Sequence, residues 1–256
     1  MKITIITVCY NSERTIRDCI ESVLSQDYED IEYIVIDGLS NDNTVNIINE
    51  YRNKISKIIS EPDNGLYDAM NKGIKYSTGD VIGILNSDDI FENLTVISDV
   101  AKYFASNSCI SLLFGDVVHV DPNNTNKVVR YYCSKNFKPY KLRFGWMPPH
   151  NATFIKSEVF ERVGNYSLYY KISADFELFV RMLILNKLLY SRMDKVLARQ
   201  RTGGVSTNGI KNRIMQNAEI VKACKDNGVY TNLFLVLLKI PMKILEYFRR
   251  PTNNTN

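Results

Sequence analysis

An α/β fold, with a mostly parallel central sheet flanked by helices, is what this 256-residue sequence predicts. Two observations carry the prediction. Up to Asp89 the chain alternates apolar strand-like runs with segments of helical apolar spacing, joined by short connections. That is the pattern of parallel strands with crossover helices. Polar and acidic residues (Tyr10, Asn11, Asp37, Asp88 and Asp89) fall at the carboxyl ends of the strand-like runs. Ligands of such sheets bind beyond those ends, so these side chains are expected around one crevice.

The elements follow in order. Ile3 to Tyr10 reads as a buried strand. Asn11 or Ser12 can cap the next helix, on which Ile16, Cys19, Ile20, Val23 and Leu24 keep helical spacing. Ile31 to Ile36 is a second strand, ending at Asp37-Gly38. A helix with Val45, Ile47, Ile48 and Tyr51 leads to a short third strand, Ser56 to Ser60. The turn Glu61-Pro-Asp-Asn-Gly65 opens a helix from Leu66 to Tyr76. A buried strand, Val81 to Leu85, then presents Asp88 and Asp89.

After Asn107 the pattern changes. Ser111 to Val120 and Lys127 to Cys133 read as strands joined by the polar turn Asp121 to Asn126. A loop rich in proline and aromatics runs from Phe137 to Pro149. It precedes a strand at Ala152 to Ile155 and a helix at Ser157 to Val163. Asp175 to Leu185 has helical spacing, and residues 203 to 209 read as a mobile loop.

Composition is that of a soluble globular protein, with 45% apolar and 23% charged residues. A net charge of +4 makes no case for nucleic acid but permits contact with an anionic membrane surface. Five scattered cysteines, with no Cys-x-x-Cys pair, fit free thiols in a reducing compartment. The chain starts directly in a strand, so no secretory signal is expected. Leu233 to Phe248 is apolar apart from Lys239, Lys243 and Glu246, which with Arg250 share one helical face. It is too short and too charged to span a bilayer. An amphipathic helix on the inner face of the cell membrane is the expectation. Docking on the domain, or on a second subunit in a homodimer, is the alternative.

Adjacent carboxylates repel unless solvated or bound to a cation. At the end of a buried strand, Asp88 and Asp89 suggest a hard divalent ion, Mg2+ or Mn2+, that would hold a diphosphate.

Several segments together resemble inverting family 2 glycosyltransferases of the GT-A fold, bacterial enzymes that build O-antigen, capsule or colanic acid units. They are Thr7-Val-Cys-Tyr-Asn11, Ser22-Val-Leu-Ser-Gln26, Ile34-Val-Ile-Asp-Gly38, Ser60 to Gly73, Gly79-Asp80, Leu85-Asn-Ser-Asp-Asp89 and Ser173-Ala-Asp-Phe-Glu-Leu178. The resemblance covers residues 1 to 207, leaving 208 to 256 as a helical, membrane-associating region. It implies transfer from a nucleotide-sugar donor, expected to be a UDP-hexose, with a beta linkage; the acceptor is open, and the membrane-facing tail suggests a polyprenyl-diphosphate-linked saccharide.

The resemblance also assigns roles. Asp37 would take the uracil, with Thr7 and Asn11 lining base and ribose; the bland reading of Asp37 is a turn residue. Asp68 would help fix the nucleotide and Lys72 oppose phosphate charge, unless Lys72 is only a solvated helix face. Asn86-Ser87-Asp88-Asp89 stands where the family usually has Asp-x-Asp. Asn86 would bond a ribose hydroxyl, Asp88 ligate the metal and Asp89 support it. Asp175 matches the general base, with Glu177 as second choice and a dipole-stabilised first-turn carboxylate as the bland reading. His150 would lie by the acceptor or diphosphate, or be structural, and Trp146 could stack on a sugar. Arg199, Arg201 and the Gly203 to Thr207 segment would close over the diphosphate, unless the segment is simply a linker. The alternatives are a sugar nucleotidylyltransferase and a non-catalytic, membrane-associated binding subunit.

Overall fold

The computed structural model describes residues 1–203 and 209–248. Nine strands among them form one sheet: β1 Ile3–Cys9, β2 Ile31–Asp37, β3 Lys57–Ser60, β4 Val81–Ile84, β5 Asp89–Phe91, β6 Leu112–Asp121, β7 Asn124–Tyr132, β8 Thr153–Lys156 and β9 Tyr190–Arg201. Their order is β3-β2-β1-β4-β8-β6-β9-β5, with β7 paired to β6 outside that path. The first four are mutually parallel, while β8 runs antiparallel to both β4 and β6. β1 is buried along its whole length because helices cover both faces.

The helices are α1 Ile16–Leu24, α2 Thr44–Glu50, α3 Leu66–Tyr76, α4 Val96–Ser106, α5 Ser157–Val163, α6 Ala174–Val180, α7 Ile210–Asp226, α8 Leu233–Leu237 and α9 Lys239–Leu245. α3 shows how sequence fixes placement. Gly65 precedes it at φ +108°, a conformation that L side chains rarely adopt. Tyr67, Met70, Gly73 and Ile74 face inward, and at Gly73 a Cβ would lie 2.4 Å from a methyl of Ile6. The helix therefore packs hard against β1.

Several expectations change. Thr15, not Asn11 or Ser12, precedes α1, and the Ser12 carbonyl accepts from the Ile16 amide at 2.9 Å. The β6–β7 hairpin turns within Pro122 and Asn123. β5, α4 and β9 were not expected, and β9 runs through Arg199 and Arg201 where a lid was expected. After Val180, α6 widens into one π turn, Arg181–Leu185.

The tail is two short helices rather than one. Pro241 has no amide hydrogen and its ring crowds the carbonyl four residues back, which breaks the run near Leu238. Its polar edge faces the protein: Lys239 and Glu246 are buried, and Glu246 pairs with Arg130 of β7 at 3.5 Å. α7 and Val236 belong to the same core cluster as α3 and α6. The boundary at 207, residues 204–207 of the expected lid and Arg250 lie outside the described residues. Among the described residues no helix is long and apolar enough to cross a membrane.

Candidate active site

The carboxyl ends of β1, β2 and β4 meet as the strand pattern requires. Beyond β4 the Asp89 amide donates to the Asn86 carbonyl at 3.0 Å, closing a turn in which Ser87 is buried and Asp88 half-buried. The turn leans on the β1 end through Ser12 Oγ and Ser87 Oγ, 2.9 Å apart, and the Cys19 thiol donates to the Asn86 carbonyl. Arg201, buried at the end of β9, donates to the Asp88 carbonyl at 3.0 Å and pairs with Asp18 of α1. It props the turn from below rather than closing over it from a loop.

Two acceptors here lack donors. Asp89 Oδ1 and Asn86 Oδ1 are buried with no hydrogen-bond partner. Asp89 is fully buried, and only Oδ2 is satisfied, by Asn151 Nδ2 at 2.9 Å. Burial, then the neighbouring Asp88, pushes the Asp89 carboxyl well above the ordinary range. Burial also raises Asp88, against the pull of Arg201. A hard cation with oxygen preference suits these unmet acceptors, so the residues present fit a divalent metal. Among the described residues no group of three or more His, Cys, Asp or Glu side chains could hold one without ligands from elsewhere.

A second group gathers around Asp175 in the first turn of α6. Asp175 Oδ1 accepts from the Phe176 amide at 2.8 Å and from Tyr67 Oη of α3 at 3.0 Å. Burial raises its pKa, and the nearby His150 opposes that shift. His150 Nε2 lies 2.7 Å from Tyr166 Oη, and the Tyr166 ring stacks on Tyr67 at 5.7 Å. Burial lowers the His150 pKa, while Asp175 raises it. Asn71 binds the Tyr166 backbone twice, at 2.9 and 3.0 Å. Glu219 of α7 accepts from the amides of Lys171, Ile172 and Ser173, which fixes the approach to α6.

The two groups are linked through neighbouring residues. His150 contacts the Tyr166 side, and the next residue, Asn151, contacts Asp89. A cavity of about 390 Å³ near Tyr170, Lys222 and Asp226 is lined by none of Asp88, Asp89, His150 or Asp175.

The model of the Glycosyl transferase family 2 matches residues 4–165. The chain belongs to that family. This family 2 glycosyltransferase is 30% identical over 188 residues to an uncharacterized glycosyltransferase of Mycobacterium tuberculosis, covering 72% of this chain and 69% of that one. It is 25% identical over 245 residues to a PGL/p-HBAD biosynthesis glycosyltransferase of Mycobacterium bovis, covering 94% and 91%. Its fold matches S. aureus TarS in complex with UDP-GlcNAc, with a TM-score of 0.66 at 19% identity over 86% of this chain and 67% of that one. In a further structure of TarS 1-349 the match covers 65% of that chain. A mannosyltransferase from Pyrobaculum calidifontis, in complex with GDP-Man and Mn2+, gives 0.64 at 16% identity over 96% and 73%. The fold is therefore GT-A, and the non-catalytic and nucleotidylyltransferase alternatives fall away.

Other expected site residues in the glycosyltransferase take different places. Thr7 is fully buried, accepting from Tyr33 Oη at 3.1 Å and touching Cys19, so it does not line the crevice. Both faces of β1 are covered, which period alone does not reveal. Asp37 is fully buried, with Oδ2 accepting from Ser40 N at 3.0 Å and Ser60 Oγ at 2.6 Å. It holds the loop after β2, and a base would have to displace Ser40 to reach it. Asn11 (φ +49°) caps that loop by accepting from the Asn41 amide.

Asp68 accepts from the Asn64 amide at 2.9 Å, and Lys72 binds Glu61 at 3.0 Å and the Pro62 carbonyl at 2.6 Å, so both brace the turn before α3. Glu177 is held by Arg181 at 2.8 Å and by Asn227 at 3.1 Å, which removes it as a base. Arg199 pairs with Glu92 and the Thr125 carbonyl, away from the crevice. Sequence reasoning missed Tyr67, Asn151, Tyr166 and Glu219. Only Asn151, beside His150, carried a local signal.

Proposed function

We propose that this glycosyltransferase moves a hexose from a nucleotide-sugar, favoured to be a UDP-sugar, to a lipid-linked saccharide with inversion. The observation that carries the reading is the His150–Asn151 link, which ties the carboxylate turn and the Asp175 group to adjacent residues. UDP-GlcNAc in TarS supports the donor class, and GDP-Man in the mannosyltransferase keeps GDP-sugars in the comparison.

Asp88 and Asp89 would hold Mn2+ or Mg2+, with Asn86 Oδ1 a further oxygen and the remaining ligands drawn from the diphosphate. A bound divalent ion supplies charge neutralisation on the leaving diphosphate. Asp88 suits the contact because it is half-buried beside Asp89 and no side chain bonds its carboxylate among the described residues. Tyr10, exposed beside Gly38, offers a ring for the base, and Asp37 and Asn11 shape the loop beneath it.

Among the described residues no other residue donates to Asp175 Oδ2, which makes it the proton acceptor. The acceptor hydroxyl gives its proton to Oδ2, and its oxygen bonds to the anomeric carbon. The bond from that carbon to the diphosphate breaks on the opposite face, and the nucleoside diphosphate leaves. A base with a raised pKa is better matched to neutral pH than an ordinary aspartate.

Residues 208–256 would form the membrane-facing region and residues 1–207 the catalytic body, on the inner face of the cell membrane. The support is an outward apolar surface of Leu233, Phe234, Leu238, Ile240 and Phe248. A role in surface-polysaccharide synthesis follows from such an acceptor. The test is a panel of UDP- and GDP-sugars with Mn2+, read by thermal shift and nucleoside diphosphate release. One UDP-sugar should stabilise and turn over; stabilisation by none would overturn the reading.

A further inference from the structure

Lys239, at the start of α9, is 6% exposed, and its ammonium has no hydrogen bond or ion pair among the described residues. Its ammonium lies 3.2 Å from the point a Gly145 Cβ would occupy, with Val236 on the same side. Gly145 has φ +70°, so the backbone turns tightly there and leaves room for the ammonium.

The residues flanking that glycine are also donors in want of acceptors. Arg143 Nε and Trp146 Nε1 are buried without partners. Two buried nitrogen donors without an acceptor thus come from one turn, and the Lys239 ammonium is set against the same turn by the helix packed on it. Buried donors are ordinarily satisfied, so the missing component is an acceptor, and for a lysine and an arginine an anionic one.

The surroundings agree. In sequence, the stretch between Asp121 and Glu158 has no acidic residue and seven basic ones; Lys127 and Lys156 pair with the acids at its ends and Arg130 with Glu246, which leaves Lys135, Lys138, Lys141 and Arg143 nearest the turn along the chain. The carboxylate on this side of the tail, Glu246, is engaged with Arg130, and Lys243 adds positive charge. Burial, then Lys243, draws the Lys239 ammonium down to about 7, so a bound anion would restore its full charge.

The turn is placed for an acceptor. Gly145 and His150 are five residues apart, at most about 18 Å of extended chain. On the other side, Phe234, Leu237 and Leu238 of the tail are exposed.

We infer that Lys239 and the Arg143–Trp146 turn form a binding site for the phosphate-bearing group of a lipid-linked acceptor, between the apolar tail and the Asp175 crevice. The inference rests on the lipid-linked acceptor reading. It makes the tail part of substrate binding, with its basic edge turned inward for that purpose.

The test uses the full chain and Lys239→Met, which keeps the length of the stem and removes the charge. Binding of inorganic pyrophosphate is measured by calorimetry in EDTA, so that the Asp88–Asp89 turn holds no cation. Wild type should bind, and Lys239→Met should lose about tenfold or more, the size of one charge-assisted bond. Arg143→Gln should weaken binding in the same direction and serves if Lys239→Met fails to fold. Unchanged pyrophosphate affinity in both folded variants would overturn the site.

A second arm compares phosphatidylcholine vesicles carrying polyprenyl diphosphate with vesicles of equal charge carrying phosphatidylglycerol. Preference for the former, erased by Lys239→Met, is expected. Equal loss on both vesicle types would make the site a general headgroup contact and refute the acceptor assignment. Nucleoside diphosphate release by donor hydrolysis should persist in Lys239→Met. Its absence from wild type would count against the enzymatic reading instead.

Discussion

Tyr67→Phe isolates the tuning of the proposed base. The hydroxyl donates toward Asp175 Oδ1 at 3.0 Å and toward the Ile172 carbonyl at 2.6 Å. A hydrogen bond to a charged group contributes about 1.5–3 kcal/mol, and one pKa unit is about 1.4 kcal/mol. The single proton is shared with the nearer Ile172 carbonyl, so the expected effect is smaller, about 0.5–1 unit. The sign is fixed. Burial raises the Asp175 pKa and the Tyr67 bond lowers it, so losing the bond raises it further. The carboxylate then forms only at higher pH.

The acid limb of kcat/KM, followed by nucleoside diphosphate release, should therefore move to higher pH by about 0.5–1 unit. Phenylalanine keeps the ring that stacks on Tyr166 at 5.7 Å. The plateau rate should accordingly stay close to wild type. A limb that stays put, or moves to lower pH, would refute the Tyr67–Asp175 coupling.

Two further outcomes follow from the same geometry. Glu177→Gln should lower stability by about 1–3 kcal/mol, discounted from a fully buried pair because Arg181 keeps some solvent contact; thermal melts check this, and turnover per folded molecule should remain near wild type. Asp88→Ala should abolish the gain in UDP affinity that Mn2+ provides, as read by calorimetry, and an unchanged metal-enhanced affinity would remove Asp88 as the ligand.

The parallel half of the fold was readable because its signals are local. α3 was anticipated at its observed ends, with Gly65 before it and inward residues at helical spacing after it. β9 was not, since Ser191 to Arg201 is rich in charge, and its strand character comes from pairing with β6 across the chain. The site divided the same way. Asp88, Asp89, His150 and Asp175 stand out by residue type and position. Tyr67 meets Asp175 across 108 residues, and no local pattern announces such a contact. Thr7 and Arg201 were misplaced for a related reason. Strand period does not say which covered face a side chain joins, and Arg201 was assigned to a loop that is strand. Of the tail's expected polar stripe, Lys239 and Glu246 are buried and Arg250 lies outside the described residues; the turn toward Arg130 depends on the core the tail packs against.

The central claim is that Asp175 takes the acceptor's proton in a crevice that binds the donor independently. Asp175→Asn, assayed for donor affinity and transfer on the same preparation, tests it most directly. The amide keeps the shape but accepts no proton at neutral pH. Donor affinity should stay near wild type while turnover falls at least about 10²-fold, with kcat and kcat/KM falling together. Near-normal turnover in Asp175→Asn, or collapse of donor binding, would contradict the account.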